Sequence, residues 1–402
     1  RRLAVMTFLG AGMLSDISAQ DFSLQADTLN EARLPAQWDL QSCIDYALEQ
    51  NITIRKNRVT AESTQIDVKT AKAALFPSLS FSTSQQVVNR PYQETSSRVS
   101  GSEIISSNSK TSYNGNYGLN ASWTIYNGSK RLKTLKQERL NNQIAELDVA
   151  TSENTIKESI AQIYIQILYA AESVRVNENT LQVSIAQRDR GQELLNAGSI
   201  AKSDLAQLEA QVSTDRYQLV TAQATLQDYK LQLKQLLELD GENEMNVYLP
   251  KLSDENVLAP LPAKKDVYVS ALAIRPEIEA SKLNVEASEL GIDIAKSSYF
   301  PTISLSAGIG TNHTSGSDFT FGEQVKNGWN NSFGLSVSVP IFNNRQTKSA
   351  VQKAKLQRET NMLSLLDEQK ALYKTIESLW LDANSAQQRY AAANEKLRST
   401  QI

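Results

Sequence analysis

The sequence predicts a mainly α-helical chain that also contributes strands to a membrane β-barrel. Three observations support this fold class. An aromatic-proline pair separates a helix-like segment from a strand-like segment twice, at Phe76-Pro77 and at Phe300-Pro301. Alternating apolar and small polar residues follow both pairs, as expected for strands with two different faces. Two long proline-free segments repeat apolar residues every three and four positions, which is typical of coiled-coil helices.

The composition excludes several classes of function. The chain has 402 residues and a net charge of −3, so it offers no basic surface for nucleic acid. It contains one His and one Cys, so we treat a His/Cys zinc site, a Cys–His dyad and a disulfide framework as effectively excluded within one chain. A glycine-containing segment from Gly308 lacks the lysine of a phosphate-binding loop. We therefore predict no catalytic residue, no cofactor and no metal, and a protein that is not an enzyme.

The N-terminus has the features of a secretory signal peptide. Residues 1–19 combine two arginines, an apolar run and a small-residue ending, Ile17-Ser18-Ala19. A frayed N-terminal helix is the alternative. Cys43 follows Leu-Gln-Ser as in a lipoprotein cleavage site, but no apolar run precedes it, so we predict a helix residue. No other stretch approaches the roughly 20 apolar residues of a membrane-spanning helix.

The chain is predicted to contain two copies of one unit, each reading helix, strand, loop, strand, long helix. The offset that separates Pro77 from Pro301 also pairs Ile54 with Ile278. A second block, which begins with the second strand of each copy, repeats at a slightly shorter offset and pairs Ser122 with Ser338. The predicted organisation is a signal peptide at 1–19, a first repeat at 38–250, a linker at 251–264 and a second repeat at 265–402.

The predicted strands have one apolar face and one face of small polar residues. Their length fits the roughly 9–11 residues of a tilted transmembrane strand. We predict that the apolar side chains face lipid and the polar ones a water-filled lumen. The alternative for any single strand is a sandwich strand with one buried face. The predicted lipid-facing residues are Leu119, Trp123, Ile303, Leu305, Leu335 and Val337, and the predicted lumen-facing residues are Ser122, Ser304 and Ser336. An interfacial aromatic girdle is predicted from Tyr117, Trp123, Tyr126, Tyr299, Phe300 and Phe342.

Two long helices follow the first strand pair. The first runs from about Gly128 to Asn196, and the second carries leucines at 3-4 spacing, with Asp215 and Tyr229 in the gaps. Between them, Gly198 is predicted to end one helix, and Ser199 and Ser203 to cap the next. The segments 89–112 and 311–331 are predicted to be long exposed loops, with His313 solvated in the second.

Four strands are too few to close a transmembrane barrel, which needs at least about 8. Open strand edges cannot face lipid, because each unpaired backbone group there costs several kcal/mol. We therefore predict that three copies build a shared barrel of 12 strands above a ring of helical hairpins. The two prolines suit the boundary between helix and strand, since proline blocks helix continuation and favours an extended predecessor.

In the order of these features the sequence resembles the outer-membrane efflux protein family, the TolC-like channels. The resemblance rests on the two Phe-Pro hinges, on Arg275-Pro276-Glu277-Ile278, on Pro340-Ile341-Phe342 before a long helix, and on the turn from Gly198 to Asp204. It implies a homotrimer in the cell outer membrane with a 12-stranded barrel and a periplasmic helical tunnel. It also implies a passive exit duct for a tripartite efflux or type I secretion system. The turn residues Gly198, Ser199, Asp204 and Leu205 would then contact a periplasmic adaptor protein, which connects to an inner-membrane pump of RND or ABC type.

Several points stay open at the level of sequence. The chain ends at Ile402 inside its second long helix, so we expect a truncated sequence from which the residues of the entrance gate cannot be read. The substrate, whether drug, metal or protein, and the class of pump are not indicated. The alternative function is a secreted or surface coiled-coil structural protein, such as an adhesin stalk.

Overall fold

The computed structural model describes residues 35, 37–92, 96–100, 103–107, 110–240, 245–250, 257–315 and 319–400. The predicted signal peptide and the first six residues of the predicted linker lie outside these residues. The chain divides into two compact units. We call Arg1–Asp45, Tyr164–Gln235 and Leu239–Pro250 the hairpin unit. We call Tyr46–Ile163, Leu236–Glu238 and Lys251–Ile402 the sheet unit.

Helices dominate the described residues. In chain order the elements are α1 Leu40–Gln50, α2 Ile52–Ala73, β1 Ser78–Asn89, β2 Ser96–Ser100, β3 Glu103–Ser107, β4 Thr111–Asn127, α3 Lys130–Asn196, α4 Lys202–Leu236, α5 Lys264–Ile274, α6 Pro276–Ser297, β5 Thr302–Thr314, α7 Phe321–Asn327, β6 Asn330–Ser338 and α8 Gln346–Thr400. None of these helices is both long enough and apolar enough to cross a membrane.

The internal duplication appears directly in the element bounds. Helices α1 and α5 each have 11 residues, and α2 and α6 each have 22. The starts of both pairs are separated by the same offset as the two hinge prolines. Helices α3 and α8 start at Lys130 and Gln346, which differ by the shorter offset of the second block. Ile54 and Ile278, which the sequence pairs, are both fully buried. The repeat boundaries at 38–250 and 265–402 remain a prediction.

The turn from strand to long helix is also duplicated. Gly128 and Ser129 have φ angles of 66° and 62°. Asn344 and Arg345, at the equivalent positions of the second copy, have φ angles of 49° and 65°. Two successive left-handed residues are rare outside glycine. Both long helices are therefore preceded by the same backbone conformation, although Gly-Ser stands in the first copy and Asn-Arg in the second.

Strands β1, β4, β5 and β6 form one antiparallel sheet in the order β1-β4-β5-β6. Directly paired residues share a face of a sheet. Trp123 pairs with Leu305, which pairs with Leu335, while Ser122 pairs with Ser306. We define the apolar face by Leu79, Phe81, Leu119, Ala121, Trp123, Ile303, Leu305, Ala307, Ile309, Phe333, Leu335 and Val337. We define the polar face by Ser78, Ser80, Ser82, Asn120, Ser122, Thr124, Ser304, Ser306, Gly308, Ser332, Gly334 and Ser336.

A β-bulge interrupts the register near the end of β4. Thr124 pairs with Ser304, but Tyr126 rather than Ile125 pairs with Ile303. The extra residue in β4 shifts the alternation by one position. As a result Tyr126 lies on the apolar face.

The two segments predicted to be loops contain regular structure. Strands β2 and β3 form a separate two-stranded antiparallel sheet inside 89–112. Strand β5 extends to Thr314, and α7 occupies part of 311–331. His313 is therefore not a solvated loop residue, because it lies on β5 and is half-buried. Its ring makes edge contacts with the rings of Tyr113 and Phe321, at centroid distances of 5.8 and 5.1 Å.

Two strand ends differ from the predicted ones. Strand β6 stops at Ser338, shortly before Pro340, whose ring and missing N–H do not suit a continued ladder. Ile341 and Phe342 consequently lie outside the strand and are exposed. Strand β4 begins at Thr111, earlier than predicted, so Tyr117 lies inside the strand instead of near its end.

Helix α4 follows the predicted 3-4 repeat. Leu205, Val212 and Leu233 are buried at the predicted spacing, and Asp215 is buried in one of the gaps. Ile167 of α3 is fully buried in the same unit. The seam between the two helices is thus apolar with one buried carboxylate.

Glycine at 128 and glycine at 198 provide a matched pair for testing this backbone. A Cβ on Gly128 would lie 2.7 Å from the carbonyl oxygen of Ser297, whereas a Cβ on Gly198 would have nothing within 4 Å; both glycines have positive φ. We expect Gly198→Ala to lower the free energy of unfolding by about 1–2 kcal/mol, through the left-handed backbone alone. We expect Gly128→Ala to lower it by about 2–5 kcal/mol, because the new Cβ also clashes with the Ser297 carbonyl. Thermal unfolding followed by circular dichroism measures both, and equal losses would contradict the argument.

Cys43 provides a test of α1. It is fully buried, and burial raises the pKa of its thiol from 9.0 to about 12. Since the thiolate is the reactive form, we expect iodoacetamide at pH 8 to label the folded chain roughly 1,000-fold more slowly than the urea-unfolded chain. Above pH 9 this group should lower stability, because the unfolded chain ionises first. Rapid labelling of the folded protein would show that Cys43 is not buried.

Candidate functional site

The polar face carries hydroxyl and amide groups that bond one another across the strands. The hydroxyls of Ser78 and Ser122 lie 2.9 Å apart, and the amide of Asn116 donates to Ser84 Oγ at 3.3 Å. On the same face, between β5 and β6, Ser306 Oγ donates to the Gly334 carbonyl at 3.3 Å. The structure therefore places the predicted lumen residues Ser122, Ser304 and Ser336 together on one face.

The apolar face collects all six residues predicted to face lipid. Its side chains are well exposed within one chain, with Phe81 at 68% and Leu335 at 63% exposure. Exposed contiguous apolar surface of this kind marks contact with a partner or with lipid. The register thus brings the predicted residues to one face, while their contact with lipid remains a prediction.

The first helix-to-strand hinge is held by side chains from β4 and α3. After α2 the chain closes a tight turn in which Phe76 N donates to the Ala73 carbonyl at 3.0 Å, and Pro77 then starts the extended segment. The indole of Trp123 donates to the Leu75 carbonyl at 2.9 Å, and the guanidinium of Arg131 donates to the carbonyls of Phe76 and Thr124. The indole N–H of Trp123 therefore stabilises the hinge, while its side chain lies on the apolar face.

The second hinge is held by a hydrogen bond from a buried serine side chain to the backbone. Phe300 N donates to the Ser297 carbonyl at 3.1 Å before Pro301. Buried Ser297 donates its hydroxyl to the Gly128 carbonyl at 2.8 Å, which links this hinge to the turn that starts α3. In each copy the helix ends before the aromatic-proline pair and the strand begins after it, and hydrogen bonds connect both junctions to the β4–α3 connection.

The turn between α3 and α4 ends the first helix with a Schellman motif. Ser199 N donates to the Leu194 carbonyl at 2.8 Å, and Gly198 N donates to the Leu195 carbonyl at 2.9 Å. Gly198 has a φ of 74°, as this motif requires at its left-handed position. The prediction that Gly198 ends the helix is confirmed.

The start of α4 differs from the prediction. Ala201 precedes the helix, and its N–H donates to Asp204 Oδ2 at 3.1 Å. This is one half of a capping box, with the acid three positions into the helix. The predicted caps from Ser199 and Ser203 are wrong, because the carboxylate of Asp204 takes that place.

Leu205, predicted to contact an adaptor, points into the hairpin instead. It is 8% exposed, and its side chain lies together with those of Ile200 and Leu208 over Gly191. A Cβ at Gly191 would come within 2.5 Å of Leu208, so glycine permits the close approach of the two helices. Leu205 therefore packs the tip, and any contact with a partner must use its exposed neighbours.

A buried polar contact within the hairpin was not predicted as a functional feature. Asp215 is 4% exposed and accepts hydrogen bonds from Ser184 Oγ at 2.5 Å and from Gln211 Nε2 at 2.9 Å. A polar residue in an apolar seam fixes the register of paired helices. The signal in the sequence was the gap that Asp215 leaves in the leucine repeat.

The described residues contain no cluster of three or more His, Cys, Asp or Glu side chains that could hold a metal ion. The candidate sites are instead two separate surfaces, the sheet with its two hinges in the sheet unit and the turn between α3 and α4 in the hairpin unit. Surfaces of this kind can contact solutes or other chains.

The sequence model of the outer membrane efflux protein family matches residues 43–238 and 267–402. The chain belongs to this family, which places it in the outer membrane with a helical extension into the periplasm. The family consists of efflux channels, not of enzymes.

Curated relatives agree with this assignment. The outer membrane efflux protein BepC of Brucella suis biovar 1 is 25% identical over 62% of this chain and 52% of its own length. The cation efflux system protein CusC of Escherichia coli O157:H7 is 24% identical over 88% of this chain and 74% of its own length. The chain thus spans about half the length of BepC.

Solved structures show the same fold. A crystal structure of CusC, described in terms of folding and transmembrane channel formation, matches with a TM-score of 0.71 at 21% identity, covering 88% of this chain and 79% of that one. The outer membrane protein VceC from Vibrio cholerae matches with a TM-score of 0.70 at 17% identity, covering 90% and 82%. The predicted architecture of helical tunnel and membrane strands is confirmed at the level of the fold.

Proposed function

We propose that the protein is a passive exit duct in the outer membrane, through which an inner-membrane pump expels its substrates. The two-faced sheet carries this proposal. Most of its apolar face is exposed within one chain, and its opposite face consists mainly of serine, threonine, asparagine and glycine. Lipid on one side and water on the other is the environment that stabilises such a sheet. A duct needs no catalytic group, in agreement with a family of channels.

The open edges of the sheet imply an assembly. Strands β1 and β6 are the two outer strands, each paired on one side only. In a membrane the free side must be paired too, since unpaired backbone groups in hydrocarbon cost several kcal/mol each. Pairing β1 of one copy with β6 of the next closes a barrel, and three copies supply 12 strands. A homotrimer is the assembly we propose.

The proposal also includes partners. In a duct that crosses only the outer membrane, an energised pump must deliver substrate through a periplasmic adaptor. We propose that the adaptor contacts the exposed tip residues Gly198, Ser199 and Asp204, with Leu205 supporting them from inside the hairpin. Relatives are named for cation efflux, for toxin and drug export and for pyoverdine export, so the substrate stays open within this proposal.

Reconstitution tests the duct directly. The full chain is purified in detergent, its oligomeric state is measured by light scattering, and it is added to planar lipid bilayers. We expect trimers that form water-filled pores. A monomer that forms no pores would contradict the proposal.

Neighbouring residues on the two faces of β5 test the orientation of the sheet. Leu305→Arg should destabilise the assembled barrel by roughly 2–4 kcal/mol if the side chain lies near the bilayer midplane. Ser304→Arg should leave assembly intact and reduce the conductance, because the new side chain enters the lumen. Trimer content in membranes and single-channel conductance measure the two effects. The opposite ranking of the two variants would reverse the orientation, and equal assembly defects would contradict it.

Asp204 tests the adaptor contact, provided that its capping role is controlled. Asp204→Lys removes the acceptor for Ala201 N–H, which costs about 0.5–2 kcal/mol, and reverses the charge of the tip. Asp204→Asn retains an acceptor and removes only the charge. We expect weaker adaptor binding and export for the Lys variant, with trimers intact, and a smaller loss for the Asn variant. Normal export by Asp204→Lys would exclude Asp204 from the contact.

A further inference from the structure

All four strands of the main sheet meet helices at the same end of the sheet. The end of β4, the start of β5 and the end of β6 lie there together, since Asn127 pairs with Thr302, which pairs with Ser338. Strand β1 starts near this end too, at Ser78, which pairs with Ser122. We call this the junction end of the sheet.

The segments that border the junction end are strongly basic. They are 67–75 and 291–299, before β1 and β5, and 128–136 and 344–352, after β4 and β6. Together they contain nine basic and two acidic residues, which gives a net charge of +7 in a chain whose net charge is −3. All four segments belong to the sheet unit. The remainder of the chain is therefore acidic on balance, and the excess of basic residues lies at the junctions between helix and strand.

Three of the nine basic side chains have partners within the chain. Arg131 donates to two hinge carbonyls, Lys133 Nζ donates to the Asp293 carbonyl at 3.4 Å, and Lys296 Nζ lies 3.1 Å from Asp293 Oδ1. The other six are exposed, and no carboxylate of the residues that the structure describes forms an ion pair with them. We call these six the junction cations: Lys69, Lys72, Lys130, Lys136, Arg345 and Lys348.

The helix dipole does not explain the junction cations at the starts of α3 and α8. The N-terminus of a helix carries partial positive charge and favours acidic side chains. Neither α3 nor α8 has an acidic residue in its first turn, where Lys130 and Lys348 stand instead. These like charges repel one another within a single chain, and an anion from outside the chain would relieve the repulsion.

Large apolar side chains are exposed beside these cations. Phe76, Ile341 and Phe342 are 66%, 95% and 84% exposed. Phe76 lies shortly after Lys72 in the chain, and Phe342 shortly before Arg345. Exposed apolar side chains next to unpaired cations suit the interface of a bilayer, where rings enter the boundary of the acyl chains and long basic side chains reach the headgroups.

We infer that the junction cations bind the phosphate groups of anionic phospholipids in the periplasmic leaflet of the outer membrane. The charges are complementary, and basic clusters beside a membrane are attracted to anionic lipid. The long helices extend into the periplasm, so the junction end lies at the periplasmic boundary of the membrane. A free phosphate ion would satisfy the cations alone, whereas a phospholipid also covers the exposed apolar side chains. The inference rests on the proposed function, since it takes the sheet as the part that crosses the membrane.

Lipid retention tests the inference. The full chain is reconstituted into bilayers with equal amounts of phosphatidylglycerol and phosphatidylcholine and extracted in mild detergent, and native mass spectrometry quantifies the phospholipid that stays bound. We expect the native chain to retain phosphatidylglycerol in excess. The triple variant Lys72→Gln, Lys130→Gln and Lys348→Gln should lower this preference by about 5-fold for each cation that contacts a headgroup.

A matched control removes the same charge elsewhere on α2 and α8. Lys56, Lys370 and Lys374 are exposed lysines of these helices outside the junction segments. The triple variant Lys56→Gln, Lys370→Gln and Lys374→Gln should keep the native lipid preference. Extraction into phosphate buffer instead of chloride buffer of equal ionic strength should leave the bound lipid in place.

The outcomes separate the inference from the function on which it rests. A native chain that forms no pores in planar bilayers would contradict the proposed duct. Pores formed by a chain that retains both lipids equally would overturn the inference alone, and this result needs no variant. Equal losses in the two triple variants would show a response to net charge only, and displacement by phosphate buffer would show a site for free anions; either result overturns the inference.

Ion selectivity decides whether the junction cations face the lipid or the path. Under a KCl gradient, the junction variant should have the reversal potential of the native chain, because cations that contact lipid lie outside the path. A shift towards cation selectivity would place these side chains along the path and would overturn the inference.

Discussion

The pairing of backbone groups at the edges of one small sheet is the constraint on which the molecule depends. Four strands leave β1 and β6 with one unpaired side each. Water could satisfy those groups, but the exposed apolar face argues for a membrane, where only a neighbouring strand can. In the assembly that we propose, neighbouring copies pair these edges, so that one copy supplies only part of the barrel.

The second constraint is the junction between helix and strand. Each aromatic-proline hinge ends a helix of 22 residues and starts a strand. Both hinges are fastened to the β4–α3 connection, one through Trp123 and Arg131 and the other through Ser297 and Gly128. The strands and the helices of the sheet unit are thus joined by hydrogen bonds to backbone carbonyls. These bonds fix the direction in which each strand leaves its helix, and the accepting residue contributes only its backbone.

Much of this architecture could be predicted from the sequence because its signals are local. Alternation predicted the two faces, the 3-4 repeat predicted the long helices, and Gly198 predicted the turn. The β2–β3 sheet and α7 were missed, since short polar segments look like loops when no periodicity is present. The cap from Asp204 and the burial of Leu205 depend on how the turn closes, and the environment of His313 depends on α7 packing against β5. Such contacts join residues whose proximity no local pattern encodes.

The bulge in β4 has a consequence for which residue types border the rim of the sheet. If Ile125 were paired with Ile303 in a regular ladder, alternation would place Tyr126 on the side of Ser122 and Thr124. The insertion returns its ring to the side of Trp123 and Ile303. One irregular position thus lets the indole and the phenol of the same strand border a common surface, and deleting Ile125 would regularise the ladder while leaving the phenol on that surface.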